Sequence, residues 1–112
     1  MARNMSFSLT TEQFKARTKT VTRRFGWWFL KSGDVVRGVE KTMGLKPGEK
    51  IKPLGLVRIL DTRPEPLDAI TQADVVKEGF LEWTPEQFVS MLVEHYGVSP
   101  SAKVNRIEFE YL

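Results

Sequence analysis

The C-terminal run Val104-Asn105-Arg106-Ile107-Glu108-Phe109-Glu110-Tyr111-Leu112 alternates apolar and charged residues with a period of two. Successive side chains of a strand point to opposite faces, so the pattern predicts a strand with Ile107, Phe109 and Tyr111 turned inward and Arg106, Glu108 and Glu110 turned to solvent. A strand at the end of a chain needs partners laid down earlier, and β-branched runs supply them. Phe7-Ser8-Leu9, Thr20-Val21-Thr22, Val35 to Glu40 and Ile51 to Asp61 all have strand character. Between them lie helix signals. Thr10 with Gln13 three residues on predicts a capped helix ending near Arg17, and Thr71 predicts a short one across 73–77. Thr84-Pro85-Glu86-Gln87 combines cap, N1 proline and N3 glutamine, and Gly97 is placed to stop the helix that follows. The turns fall at Lys31 to Asp34 and Lys46 to Glu49, and Pro64 and Pro66 mark a loop. Strands at both ends with helices between them predict an α+β chain built on a small mixed β-barrel with short flanking helices.

A length of 112 residues predicts one domain spanning 1–112. The chain contains no cysteine, which excludes thiolate nucleophiles, thiolate metal sites and disulfide chemistry. No apolar run approaches the ~20 residues of a membrane span. The start Met1-Ala2-Arg3-Asn4 leads into polar sequence without a signal-peptide core. The expected location is cytoplasmic, with no membrane partner. Charge is unevenly spread along the chain: residues 1–58 hold thirteen Lys/Arg against four Asp/Glu, and residues 59–112 hold four against ten. Either one basic face meets phosphate, or the two halves interleave and their charges mix.

Several chemistries are absent. Gly44-Leu45-Lys46-Pro47-Gly48-Glu49-Lys50 lacks phosphate-loop spacing and its Lys-Ser/Thr ending. His95 is the only histidine, so no multi-histidine metal site forms, and its place near a helix end suits a cap or the surface. No serine has a nucleophile-elbow context. What remains is Arg17-Thr18-Lys19-Thr20-Val21-Thr22-Arg23-Arg24, which interleaves cations with threonines. If Thr20 to Arg24 is extended, Thr20, Thr22 and Arg24 share a face, and a bend would bring the Lys19 amine toward Thr22. Positive neighbours and desolvation depress a lysine pKa, making it a candidate base for a hydroxyl nucleophile. The same residues also suit phosphate binding. Trp27 and Trp28 follow directly, placed either to stack on a base or to fill a core.

This stretch resembles the signature of the ASCH family, which has a glycine, a lysine two residues on, an acidic residue three later and an arginine two after that. Lys19, Thr22 and Arg24 occupy the last three positions. Thr22 in the acidic position is similar to the small 4-acetylcytidine amidohydrolase branch, whose motif reads close to Lys-Thr-Ile-Thr-x-Arg. Lys31-Ser32-Gly33-Asp34-Val35-Val36 and Ile107-Glu108-Phe109 are also similar to segments of that branch. The resemblance implies a PUA-like barrel and a catalytic set of lysine, threonine and glutamate. Lys19 and Thr22 match the first two, Glu78 matches the third by order and spacing, and Glu82 is the fallback. Arg23, Arg24, Trp27 and Trp28 are the candidate substrate contacts. Arg17 replaces the motif's leading glycine, and Met43 to Pro53 is expected to form a basic hairpin longer than that branch carries.

Three functions share these residues. The first is a hydrolase that removes an acyl group from a modified nucleoside, without metal or cofactor. The second is a non-catalytic RNA-binding module, and the third a metal-independent ribonuclease. The expected partner is accordingly a modified nucleoside or RNA.

Overall fold

The computed structural model describes residues 3–42 and 44–112, so the expectations about the first two residues and about Met43 at the start of the hairpin lie outside it. In chain order the elements are β1 (Arg3–Ser6), α1 (Thr11–Lys15), β2 (Val21–Arg24), β3 (Val35–Val39) and β4 (Pro53–Pro66). A short 3-10 turn (Leu67–Ala69), α2 (Gln72–Lys77), α3 (Pro85–Tyr96) and β5 (Lys103–Tyr111) complete it. The strands form one five-stranded sheet in the order β1-β3-β4-β5-β2, with only the β1–β3 pair parallel. The sheet curls into a half-barrel flanked by short helices, the mixed α+β architecture expected from the sequence. No helix among the described residues is long and apolar enough to cross a membrane.

β5 is the hinge of this arrangement. It pairs with β4 from Lys103 to Tyr111 and with β2 from Asn105 to Glu108. Ile107 and Phe109 join Met5, Phe7, Phe14 and Ile59 in one apolar cluster, and Tyr111 packs against it. Val104, earlier on the same strand, joins a second cluster with Leu67, Val75, Phe88 and Leu92. Arg106 departs from the expected pattern. It is buried rather than solvent-facing, because α2 covers that part of the sheet and sets Asp74 against it.

Other boundaries shift for identifiable reasons. The first strand is Arg3–Ser6, just before the expected Phe7-Ser8-Leu9, because Met5 and Phe7 are the buried alternating pair and Leu9 is exposed. Pro64 and Pro66, expected in a loop, lie within β4. Beyond Arg58 that strand has lost β3 and pairs only with β5, and an edge tolerates proline. An irregularity between Ile59 and Asp61 bends the strand where the pairing changes. Thr10 stands at the N-cap of α1, but its side chain makes no cap bond, so the expected capping box is absent. The box at Thr84 forms in full, with Thr84 Oγ1 accepting from Gln87 N and Gln87 Oε1 accepting from Thr84 N. Gly97 ends α3 in the left-handed conformation at φ 65°.

Because β5 ties β4 to β2 and feeds both clusters, a chain ended at Gly97 is expected to lose cooperative folding. Val104, Ile107 and Phe109 are each fully buried, and each contributes about 1.5–3 kcal/mol against a total of about 5–15 kcal/mol. A truncated chain that melts cooperatively near the full-length temperature would contradict this role.

Candidate functional site

Two elements meet at the β2 edge of the sheet. β2 carries Thr22, Arg23 and Arg24, Lys19 lies just before it, and α2 delivers Asp74 and, at its C-cap, Glu78. Asp74 and Glu78 are four residues apart, so they sit one above the other on a helical face. Gly79 makes the exit from α2 possible. It has φ 101°, and a Cβ there would lie 2.6 Å from the Gln13 side chain of α1.

Lys19, Thr22 and Glu78 are all nearly sealed, with 2%, 3% and 2% exposure. Lys19 Nζ donates to Glu78 Oε1 at 2.5 Å and to the Glu78 carbonyl at 3.2 Å. Burial pushes the Lys19 amine below its ordinary value; Glu78 pulls the other way, and Arg24 and Arg23 add to the lowering. Thr22 Oγ1 accepts from Arg24 Nε at 3.0 Å, as the shared strand face requires. The Arg24 guanidinium lies 4.8 Å from the centre of the Phe7 ring, and its pKa is lowered by burial. The Tyr111 hydroxyl, pushed up to about 12 by burial, donates to the Lys19 carbonyl and fixes the backbone ahead of β2.

Arg23 has a different environment from its neighbours. It stands directly opposite Arg106 in the β2–β5 register, a like-charge pair that needs carboxylates to exist. Glu78 Oε2 takes NH1 at 3.0 Å, while Glu65 and Asp74 share NH2. Arg106 completes the group with two hydrogen bonds to Asp74, at 2.7 and 3.1 Å. Lys19, Arg23 and Arg106 are thus balanced by Glu65, Asp74 and Glu78. Within this group the basic first half and the acidic second half of the chain interleave. Among the buried side-chain nitrogen and oxygen atoms of the described residues, Arg23 Nε alone has no partner.

Lys19, Thr22, Arg23, Arg24 and Glu78 line one pocket that offers ≈ 90 Å³ to the centres of water molecules. The segment Ser6–Thr10 forms a second wall, and Phe80, Phe88, Met91 and Tyr96 form an apolar third. Trp27 and Trp28 are not among the lining residues. Trp27 packs against the first apolar cluster with φ 61°, while Trp28 is 52% exposed. Glu82 is exposed, and so is His95, which lies edge-on to Tyr96. Sequence reasoning missed Asp74, Glu65 and Arg106, whose partners lie 32 or more residues away. The one local signal was the spacing of Asp74 and Glu78. Arg17, standing where the resembling motif has glycine, adopts φ 61°. It therefore keeps a glycine-like backbone, and its guanidinium lies over the Tyr111 ring.

The whole chain superimposes on a protein of Enterococcus faecalis V583 described by the family model DUF984, at 15% identity and a TM-score of 0.67 over 77% of that protein. The ASCH domain of Lactobacillus crispatus JV V101 matches 97% of this chain and 78% of its own, at 12% identity and a TM-score of 0.61. The fold is that of an ASCH domain. No family model matches the sequence, and neither does any curated protein. At these identities the likeness extends to the ASCH fold and no further, so the chemistry has to be argued from the pocket.

Asp74 links the pocket to stability. The hydrogen bonds from Arg106, then the one from Arg23, hold its carboxyl well below the ordinary 3.8 even though burial pushes the other way. A depressed carboxylate stabilises the fold at pH values above its unfolded pKa, and that contribution is lost as pH falls through the folded value. Asp74→Asn is therefore expected to cost about 3 kcal/mol at pH 7, the scale of breaking a buried pair. The gap to wild type should narrow as pH falls below about 4. Urea denaturation of both proteins from pH 7 to pH 2 measures this, and a pH-independent gap would contradict the assignment.

Proposed function

We propose that the chain is an amidohydrolase that removes an acyl group from a modified nucleobase or nucleoside, with 4-acetylcytidine as the type substrate. One observation carries the reading. Lys19, Thr22, Arg24 and Glu78 line a single pocket, with the amine desolvated on the glutamate and the threonine oxygen held by the arginine. A lysine with a lowered pKa is neutral in a larger share of molecules and so is more often available as a base. Arg24 bonds the Thr22 oxygen, which leaves the hydroxyl proton free to depart. Thr22 Oγ1 attacks the acyl carbonyl, Lys19 takes its proton, and Glu78 at 2.5 Å orients the amine or relays the proton. The C–N bond breaks, the cytidine amine leaves with a proton, and water releases the acyl group from Thr22. Arg24 would stabilise the developing oxyanion or hold the site together electrostatically. The apolar wall with Phe80 and Met91 offers a surface for a flat base.

The rival reading is a binding module whose buried cations meet phosphate or base without turnover. Wild type is expected to release cytidine and acetate from 4-acetylcytidine without added metal and in the presence of chelator. Thr22→Ala and Lys19→Ala should each lower the rate about 100-fold or more. The double mutant should be hardly worse than either single mutant, because the two residues act as a unit. A thermal melt must first show both variants folded. The wild-type rate should rise with pH along a limb lying below the ordinary 10.5 of lysine, the direction of the Lys19 shift, and Lys19→Ala should lose that limb. No turnover of any acylated cytidine, together with tight RNA binding that weakens steeply with salt, would transfer the pocket to the binding module.

A further inference from the structure

Two threonines stand in succession at the start of α1, and their hydroxyls are used differently. Thr11 Oγ1 donates to the Phe7 carbonyl at 2.8 Å. Thr10 occupies the N-cap position, where a threonine hydroxyl ordinarily accepts from an amide of the first turn. Its backbone, at φ −136° and ψ 33°, lies away from the extended conformation such caps adopt, and its side chain makes no cap bond. The residue is only 7% exposed, yet its hydroxyl is not among the atoms sealed away without a partner. Thr10 lines the same pocket as Lys19, Thr22 and Glu78. A hydroxyl on a pocket wall that spends no bond on its own helix is available to water or to a ligand in that pocket.

We propose that Thr10 is a ligand-binding residue that reads an uncharged hydrogen-bonding edge, an amide or a sugar hydroxyl, of the molecule in the pocket. The chemistry of the walls supports this division of work. Lys19, Arg23 and Arg24 supply all the positive charge on the β2 side, whereas the Ser6–Thr10 wall carries Ser6, Ser8 and Thr10 and no charge. A hydroxyl both donates and accepts, so it suits a neutral edge better than an anion. Thr10 touches no reacting atom in this scheme and acts on affinity. The inference rests on the pocket being a nucleoside site and names the wall that recognises the nucleoside.

Calorimetric titration of wild type, Thr10→Val and Thr10→Ser with cytidine and with 4-acetylcytidine tests it, alongside thermal melts. Valine keeps the shape and removes the hydroxyl. The expected result is about fivefold weaker binding in Thr10→Val, an unchanged melt, and recovery in Thr10→Ser. In turnover the same change should raise KM and leave kcat alone. Equal affinity in Thr10→Val and wild type overturns the assignment. So does a melting point lower by about 4 °C or more, the size of a lost N-cap, since the hydroxyl would then serve the helix. Wild type without affinity for either nucleoside sinks the nucleoside reading and the Thr10 assignment together, whereas affinity shared by wild type and Thr10→Val sinks Thr10 alone.

Discussion

Two arginines facing each other across adjacent strands are the constraint around which this molecule is organised. Arg23 and Arg106 occupy paired positions of β2 and β5, and both are buried. Isolated, such a pair would repel in a medium that screens charge poorly. Asp74 and Glu78 of α2, with Glu65 of β4, resolve the conflict, and in doing so they fix where the helix lies on the sheet. A buried ionic cluster is a weak source of net stability, because desolvation offsets much of the attraction. Its geometric demands are strict, however, and any displacement of α2 leaves an uncompensated charge.

The candidate chemistry follows from that arrangement. Glu78 belongs to the cluster through one carboxylate oxygen and to Lys19 through the other. The residue that orients the amine is therefore held by the network that holds the helix. Tyr111 and Gly79 act in the same sense from the two sides, one through the Lys19 carbonyl and one by letting the chain pass close to α1. Preorganisation of this kind matters most where a lysine must stay desolvated at the wall of a pocket.

The pocket itself lies at the seam between the two apolar clusters. Phe7 comes from the first cluster, Phe88 and Leu92 come from the second, and all three reach the lining. The seam gives a polar pole at β2 and an apolar pole at α3, the combination that suits a flat ring with polar substituents.

The sequence by itself determined whatever depends on neighbouring residues. The capping box at Thr84, the left-handed stop at Gly97 and the alternation of β5 were all legible, because each arises from contacts within a few positions of the chain. Lys19, Thr22 and Arg24 were legible as a group for the same reason, lying close together on β2 and just before it. Tertiary structure decided the rest. Alternation assigns side chains to two faces but cannot tell how many faces are covered, so Arg106 read as solvent-facing until α2 was seen to lie over it. The tryptophans show the same limit, since a pair adjacent in sequence was split between the core edge and the surface. Thr10 carried a cap signal that its own backbone conformation cancelled. In each case burial is a property of the assembled surfaces, created by residues far away in the chain, and no local pattern encodes it.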